Sequence, residues 1–244
     1  MRTALVTGAS RGIGRGIALE LARQGFGLTA TSRRDEDLAA LAAELTAAGA
    51  PHVVTCAADL GDRTALTSVV ERHAEAYASM NALVLSGGVG TGGSLETLPS
   101  SRVDKTIVVN LTSAITILQT ALPLLRAAAT ADRKRGARVI ALASITGVYA
   151  EPGLAVYGAS KAALISLMET LNAEESANGV MATAIAPAYV ATDMSAWTAD
   201  TIPAETMIPV EDVVGVVRML LGFGVVTSLP RVVLTRSGTS GFIA

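Results

Sequence analysis

Tyr157 and Lys161, in the stretch Tyr157-Gly158-Ala159-Ser160-Lys161, lie four positions apart at the start of a helix-compatible segment. At that spacing both side chains leave one face of a helix, one turn apart. A free tyrosine titrates near pH ~10 and is a poor acid or base at neutrality. An ammonium one turn away favours the phenolate and can lower the phenol's pKa by roughly one to three units. That brings the hydroxyl into range for general acid–base work. A Y-x-x-x-K spacing alone arises by chance on many helices, and a second motif gives it weight. Thr7-Gly8-Ala9-Ser10-Arg11-Gly12-Ile13-Gly14 follows the apolar run Ala4-Leu5-Val6. It opens a helix-like stretch through Ile13, Ile17 and Leu21 that Gly25 stops. A strand running through a glycine-rich turn into a helix collects backbone N–H groups and the positive end of the helix dipole at one point. Such a point is an anion site suited to a pyrophosphate. The spacing is G-x-x-x-G-x-G rather than G-x-G-x-x-G, and no Gly-Lys-Ser/Thr follows, so it is not a P-loop.

With these two motifs the chain resembles the short-chain dehydrogenase/reductase family over nearly all of its 244 residues. Asn110, in Val109-Asn110-Leu111, matches the family's active-site asparagine, and Ser144, at the end of the apolar run Val139 to Leu142, matches its serine. Within the family the likeness is to 3-oxoacyl-carrier-protein reductases and related ketone reductases. The resemblance implies a catalytic set of Asn110, Ser144, Tyr157 and Lys161. It also implies that Lys161 holds the nicotinamide ribose, Asp59 the adenine amino group with the Leu60 backbone beside it, and Val190 and Thr192 the carboxamide, after Pro187. Gly8, Ser10, Arg11, Gly12, Ile13 and Gly14 would line the pyrophosphate, with Ser86 and Gly87 on the adenine-side wall. Strand two ends at Ser32-Arg33-Arg34. An acidic residue at this place holds the ribose 2′-OH of NAD. Ser32, Arg33 and the nearby Arg11 instead form a phosphate receptor, which favours NADP(H). The plain alternative is that Arg33 and Arg34 only cap a loop.

The elements that must position these residues are legible as alternating patterns. Short apolar runs occur at Ala4–Val6, Leu28–Thr31, Val53–Cys56, Ala82–Leu85, Val139–Leu142, Met181–Ala186 and Val232–Leu234. Helical patterns at Leu38–Leu45, Leu66–Tyr77, Val103–Leu125, Ala162–Ala177 and Val213–Leu221 separate them. Continuous apolar strands alternating with amphipathic helices argue for a parallel sheet covered on both faces. The expectation is an α/β chain with a doubly wound sheet and its ligand at the carboxyl ends of the strands. The resemblance implies a single-domain Rossmann fold over residues 1–244, with seven strands in the order 3-2-1-4-5-6-7.

Four departures from the family pattern stand out. Leu85-Ser86-Gly87-Gly88 replaces Asn-Asn-Ala-Gly, removing side-chain hydrogen bonds expected to tie strand four to its neighbours. Ala188 stands where glycine is usual. Of two arginines expected to dock an acidic carrier protein, one falls on Arg135 and the other on Asn178, and the ending through Ala244 lacks Val-Asp-Gly-Gly. Residues 194–209, with Met194, Trp197, Ile202 and Met207, fall in the family's variable substrate loop. Their apolar character suggests a carbonyl on a hydrophobic body, thioester-linked or free; plain lid packing reads the same way.

Composition narrows the remaining classes. A net charge of −2 gives no electrostatic case for nucleic acid or anionic membrane. The cluster Arg133-Lys134-Arg135 reads as a solvated loop. No run of eighteen uninterrupted apolar residues is present, so no membrane span is expected. One cysteine excludes an internal disulfide, and two histidines leave no metal site expected. A strand beginning at Thr3 leaves no room for a signal peptide, so the reading is a cytoplasmic protein. The family implies a homodimer or homotetramer. Gly8-Ala9-Ser10-Arg11-Gly12 also matches G-x-S-x-G, but a hydrolase elbow follows several earlier strands and needs a late histidine, whereas the histidines here are His52 and His73. A second rival is a catalytically silent NADP-binding sensor of the same fold.

Overall fold

Seven strands form one parallel sheet: β1 (Thr3–Thr7), β2 (Gly27–Ser32), β3 (Val53–Ala57), β4 (Ala82–Leu85), β5 (Ala137–Leu142), β6 (Val180–Pro187) and β7 (Arg231–Leu234). Their order is β3-β2-β1-β4-β5-β6-β7. The structure, a computed structural model, describes residues 1–198 and 200–239. Residue 199, in the stretch expected to form the substrate loop, and residues 240–244 of the C-terminal ending therefore lie outside the described residues.

Every residue of β1, β4, β5 and β6 is buried, which is why these runs are continuously apolar rather than alternating. The two faces are covered by different helices. Ala4 and Val6 of β1 pack with α1 (Gly12–Arg23), α2 (Asp35–Ala47) and α7 (Val210–Gly222). Leu5, between them, points the other way, into a core shared with α3 (Arg63–Tyr77), α5 (Ser113–Ala131) and α6 (Ala155–Glu175). The period-two geometry of a strand divides one sequence run between two cores.

The pattern at Val103–Leu125 reads as a single helix but is built in three parts. α4 (Ser100–Ile107) runs into a π turn at Val108–Thr112 and then into α5. A π turn inserts a residue without breaking the apolar stripe, so periodicity does not report it; such turns recur at functional sites. The stretch Ser100–Ala131, with a hydropathy of 1.6, is also long and apolar enough to cross a membrane, which a search for an unbroken apolar run missed. Here Ile117, Ala121, Leu125 and Ala128 of that stretch are committed to the core against α3, β5 and α6.

β1 pairs with β2 on one side and β4 on the other. The chain leaves in opposite directions from these neighbours, so a crevice opens beyond their carboxyl ends. Thr7, Leu85 and the glycine-rich turn meet there.

Candidate active site

The turn after β1 is built so that backbone, not side chain, faces the crevice. Gly8 has φ +62°, and a β-carbon on it would lie 2.7 Å from Gly87 Cα. Gly14, in the first turn of α1, is packed so tightly that a β-carbon would meet Gly8 O at 2.3 Å and Ser86 Oγ at 2.7 Å. The residue preceding α1, Arg11, is extended and gives no side-chain cap. The first N–H groups of the helix thus lack a side-chain acceptor and point at the same place as the turn. These features fit a dinucleotide pyrophosphate. Ser10 and Ile13 are half-buried at this turn and Gly12 is exposed.

Around the crevice the other sequence-nominated residues take distinct positions. Ser32 closes β2, and Arg33 beyond it is exposed and enters no ion pair among the described residues. Arg34 is held by Asp37 through two 2.8 Å bonds and is committed there. Arg11 reaches across to Asp193 at 3.3 Å, an exposed pair of small worth. Asp59 is exposed beyond β3, where its Oδ1 accepts from Gly61 N–H at 2.7 Å, while Leu60 folds over Gly87. On the opposite side β6 ends at Pro187, Val190 bridges to Ile208, and the Thr192 methyl lies near Gly12. Ala188 accommodates its β-carbon without strain, because the left-handed backbone among described non-glycine residues occurs only at Ala78.

The altered stretch after β4 is not left untied. Ser86 N–H and Gly87 N–H both donate to Thr7 Oγ1, at 3.1 and 3.2 Å. Thr7 thus joins β1 to the end of β4 in place of the asparagine side chains that the family comparison leads one to expect.

Tyr157 and Lys161 occupy the first two turns of α6, and Ser144 follows β5 by two residues. Ser144 lies near enough to the Tyr157 phenol to act on its ionisation by hydrogen bonding. Ser144 Oγ accepts from Thr146 N–H at 3.3 Å and from Thr146 Oγ1 at 3.0 Å, leaving its own proton to donate toward the phenol. Lys161 Nζ donates to Leu142 O at 2.7 Å and lies 5.7 Å from the Tyr157 ring centroid. Asn110, in the π turn, accepts from Val89 N–H at 2.8 Å and donates to Val89 O at 3.0 Å and Ser160 Oγ at 3.1 Å. A β-carbon on Gly88 would be 3.2 Å from Asn110 Oδ1 and 3.5 Å from Lys161 Nζ, so the bare backbone of Gly88 lets those groups approach.

The electrostatics differ from the sequence expectation. Burial pushes the Tyr157 phenol above its ordinary value, the Ser144 hydrogen bond pulls it down, and the Glu151 carboxylate pushes it up. Lys161 contributes no lowering, because its ammonium is aimed at Leu142 O rather than at the phenol oxygen. Burial holds Lys161 itself down at about 8.

The family model for short chain dehydrogenase matches residues 2–202. The chain belongs to the short-chain dehydrogenase family. An uncharacterized oxidoreductase of Myxococcus xanthus is 39% identical over 199 residues, covering 80% of this chain and 74% of that protein. A 3-oxoacyl-[acyl-carrier-protein] reductase of Staphylococcus aureus is 29% identical over 194 residues, covering 80% and 76%. Among solved structures, the RhlG/NADP complex of Pseudomonas aeruginosa superimposes with TM-score 0.87 at 29% identity, covering 98% of this chain and 96% of that one. A short-chain dehydrogenase of Burkholderia cenocepacia in complex with NADP gives TM-score 0.85 at 29% identity, with 97% and 96% covered.

Several residues that shape this short-chain dehydrogenase's site carry no sequence signal of their own. Ser160 sits inside Tyr157-to-Lys161 at a position that motif leaves open, and Thr7, the first residue of the glycine-rich motif, was assigned no role of its own. Thr146 is two positions beyond Ser144 and could have been suspected from that nearness. Glu151 and Tyr189 are 38 positions apart, yet Tyr189 Oη donates to Glu151 Oε1 at 2.9 Å. Only the fold brings them together.

Proposed function

We propose that this protein is an NADPH-dependent oxidoreductase that reduces a ketone or 3-oxoacyl-type carbonyl to the alcohol. The observation that carries this reading is the convergence of a half-buried phenol, a serine hydroxyl beside it and a buried ammonium at the carboxyl end of the sheet. When bound, the dihydronicotinamide supplies a hydride for the carbonyl carbon. Tyr157, held protonated at neutral pH by its burial, gives its proton to the carbonyl oxygen. Ser144 orients that oxygen and donates to it as negative charge develops, the kind of preorganised donor that stabilises an oxyanion. Lys161, at about 8, sits close enough to neutrality to pass a proton toward Tyr157 after turnover. Asn110 clamps the loop at Val89, beyond β4, against Ser160 and so fixes the helix turn that bears Lys161.

The choice of NADP(H) rests on Ser32, on Arg33, which has no ion-pair partner among the described residues, and on Arg11, whose exposed pair with Asp193 is easily exchanged for a phosphate. NADP in the complexes of two relatives supports it, although a Brucella melitensis 3-oxoacyl reductase, 25% identical, was solved with NAD. A carrier-protein substrate is less well supported by the surface: Asn178, in place of the second arginine, donates to Glu175 Oε2 at 3.0 Å and offers no cation. Pairing of copies through the long α4–α5 face is the assembly we expect, with light scattering as its measurement.

The test is NADPH consumption against ketones, β-ketoesters and 3-oxoacyl thioesters, with Tyr157→Phe alongside. The variant should lose nearly all turnover while binding NADPH as the parent does. Unimpaired turnover would remove Tyr157 from the chemistry, and NADPH binding with no substrate reduced would favour a silent sensor.

A further inference from the structure

A serine hydroxyl has one hydrogen and two lone pairs, and it rotates about its Cβ–Oγ bond to suit its neighbours. It stabilises a developing oxyanion only when its hydrogen is already aimed there. The Ser144 hydroxyl is not left to rotate. Thr146 N–H donates to Ser144 Oγ at 3.3 Å, and Thr146 Oγ1 donates to the same atom at 3.0 Å. Two donors occupy the two lone pairs, so the Ser144 hydrogen is the part of the group left to give away. Ser144 pulls the Tyr157 phenol down, the direction expected of a donor to the phenolate rather than an acceptor from the phenol. Both Ser144 and Thr146 are buried, so bulk water competes little for these bonds.

Thr146 is itself held in register with the helix that bears Tyr157. It lies in the tight turn Ile145–Gly147 that follows Ser144. A β-carbon on Gly147 would lie 2.7 Å from Lys161 C and 2.8 Å from Ala162 N, and one on Gly158 would lie 2.9 Å from Thr146 O. Two bare glycines therefore let this turn rest backbone to backbone on the first turns of α6. The Thr146 side chain is β-branched and has few rotamers, so a fixed backbone also fixes its hydroxyl.

We propose that Thr146 is a positioning residue: its hydroxyl holds Ser144 as a one-way donor toward the oxygen that Tyr157 protonates. This rests on the reductase reading above and extends it to a residue outside the set Asn110, Ser144, Tyr157 and Lys161. Thr146 acts through Ser144 rather than on the carbonyl. Its contribution therefore belongs to the transition state, where charge appears on the oxygen, and not to substrate binding.

The experiment sets Thr146→Val and Thr146→Ser beside the parent, with thermal melts to show that each folds. Valine puts a methyl group in place of the hydroxyl and keeps the backbone N–H; serine keeps the hydroxyl and drops the methyl. Three readouts are taken: NADPH-linked reduction of the ketone the parent reduces best, the pH profile of oxidation of the matching alcohol, and the NMR shift of the Tyr157 Cζ. The last uses protein with its four tyrosines labelled at that carbon, assigned with Tyr157→Phe, and needs no turnover. In Thr146→Val, kcat and kcat/KM should fall together by about fivefold or more with KM unchanged. The acidic limb of alcohol oxidation should move to higher pH, because the phenol loses part of the downward pull of Ser144. The other ionisable groups around the phenol, Glu151, Lys161 and Tyr189, are the same in all three proteins. The Tyr157 resonance should move as well, while Thr146→Ser should stay with the parent in all three readouts. Parent-like turnover in Thr146→Val overturns the inference, as does an equal loss in Thr146→Ser. A fall in turnover with an unmoved acidic limb and an unmoved resonance assigns Thr146 to packing and overturns it too. Each of these results leaves the reductase reading standing. If the parent reduces no ketone, the reductase reading fails; a resonance that moves in Thr146→Val and not in Thr146→Ser then upholds the Thr146–Ser144 lock by itself, and an unmoved one overturns both.

Discussion

Replacing Gly14 with alanine sets a methyl group into the backbone of the turn that Gly8 begins. The added carbon would lie 2.3 Å from Gly8 O, 2.9 Å from Gly8 C and 2.7 Å from Ser86 Oγ. The serine hydroxyl can rotate away, but the carbonyl cannot, because Gly8 is itself pressed against Gly87. Overpacking against fixed atoms costs about 3 kcal/mol at the upper end of its usual range. For a chain of this size that lowers Tm by about 6–12 °C. The same shift moves the N–H groups of the turn off the pyrophosphate position, so NADPH affinity should fall as well. Gly215→Ala is the matched control. Gly215 lies inside α7, and a β-carbon there meets nothing within 4 Å. Alanine in a helix interior gains about 0.5–1 kcal/mol over glycine, so this variant should melt slightly higher than the parent. Differential scanning calorimetry and a fluorescence titration of NADPH read both effects. If Gly14→Ala matches the parent in Tm and in NADPH Kd, the reasoning about close backbone approach fails.

Arg33→Asp should weaken NADPH binding by about tenfold or more while sparing NADH, since it replaces a charge-assisted donor by a repelling carboxylate; a titration with each cofactor decides it. His73, buried in α3, has its Nδ1 2.8 Å from Thr29 Oγ1 and its Nε2 3.1 Å from Ser79 O, and burial lowers its pKa to about 4. An unfolded histidine takes up its proton near pH ~6.5. The unfolded chain thus binds the extra proton first, and stability falls as pH drops from about 6.5 to 4. Urea melts across that window should show a loss of about 3 kcal/mol from this residue, and a much smaller one in His73→Gln. Lys161 gives a second sign-defined window. Its folded pKa of about 8 lies below the ordinary 10.5, so stability rises with pH between about 8 and 10. Lys161→Met should lack that rise in melts taken at the same pH values and should lose turnover. Glu151 raises the Tyr157 phenol, so Glu151→Gln should move the acidic limb of alcohol oxidation, where activity rises as the phenolate forms, to lower pH.

Much of this molecule was written locally. The runs Ala4–Val6 and Val139–Leu142 are apolar throughout because both faces of their strands are covered, and that alone announced a parallel sheet. The glycines at 8, 12 and 14 and the four-residue step from Tyr157 to Lys161 follow from helix and turn geometry, so their chemistry could be read before any fold was known. What the sequence could not convey depends on partners distant along the chain. The π turn that carries Asn110 adds a residue without disturbing the apolar stripe. Thr7 replaces absent asparagines only because β1 lies beside β4. The direction of the Tyr157 shift was decided by burial, and by an ammonium turned toward Leu142 O, since charge–charge effects depend on distance and solvent exposure rather than on spacing in the chain. Glu151 and Tyr189 became a pair only when the loop before α6 met the end of β6. Local geometry determined which groups could react; long-range packing decided what each of them faces.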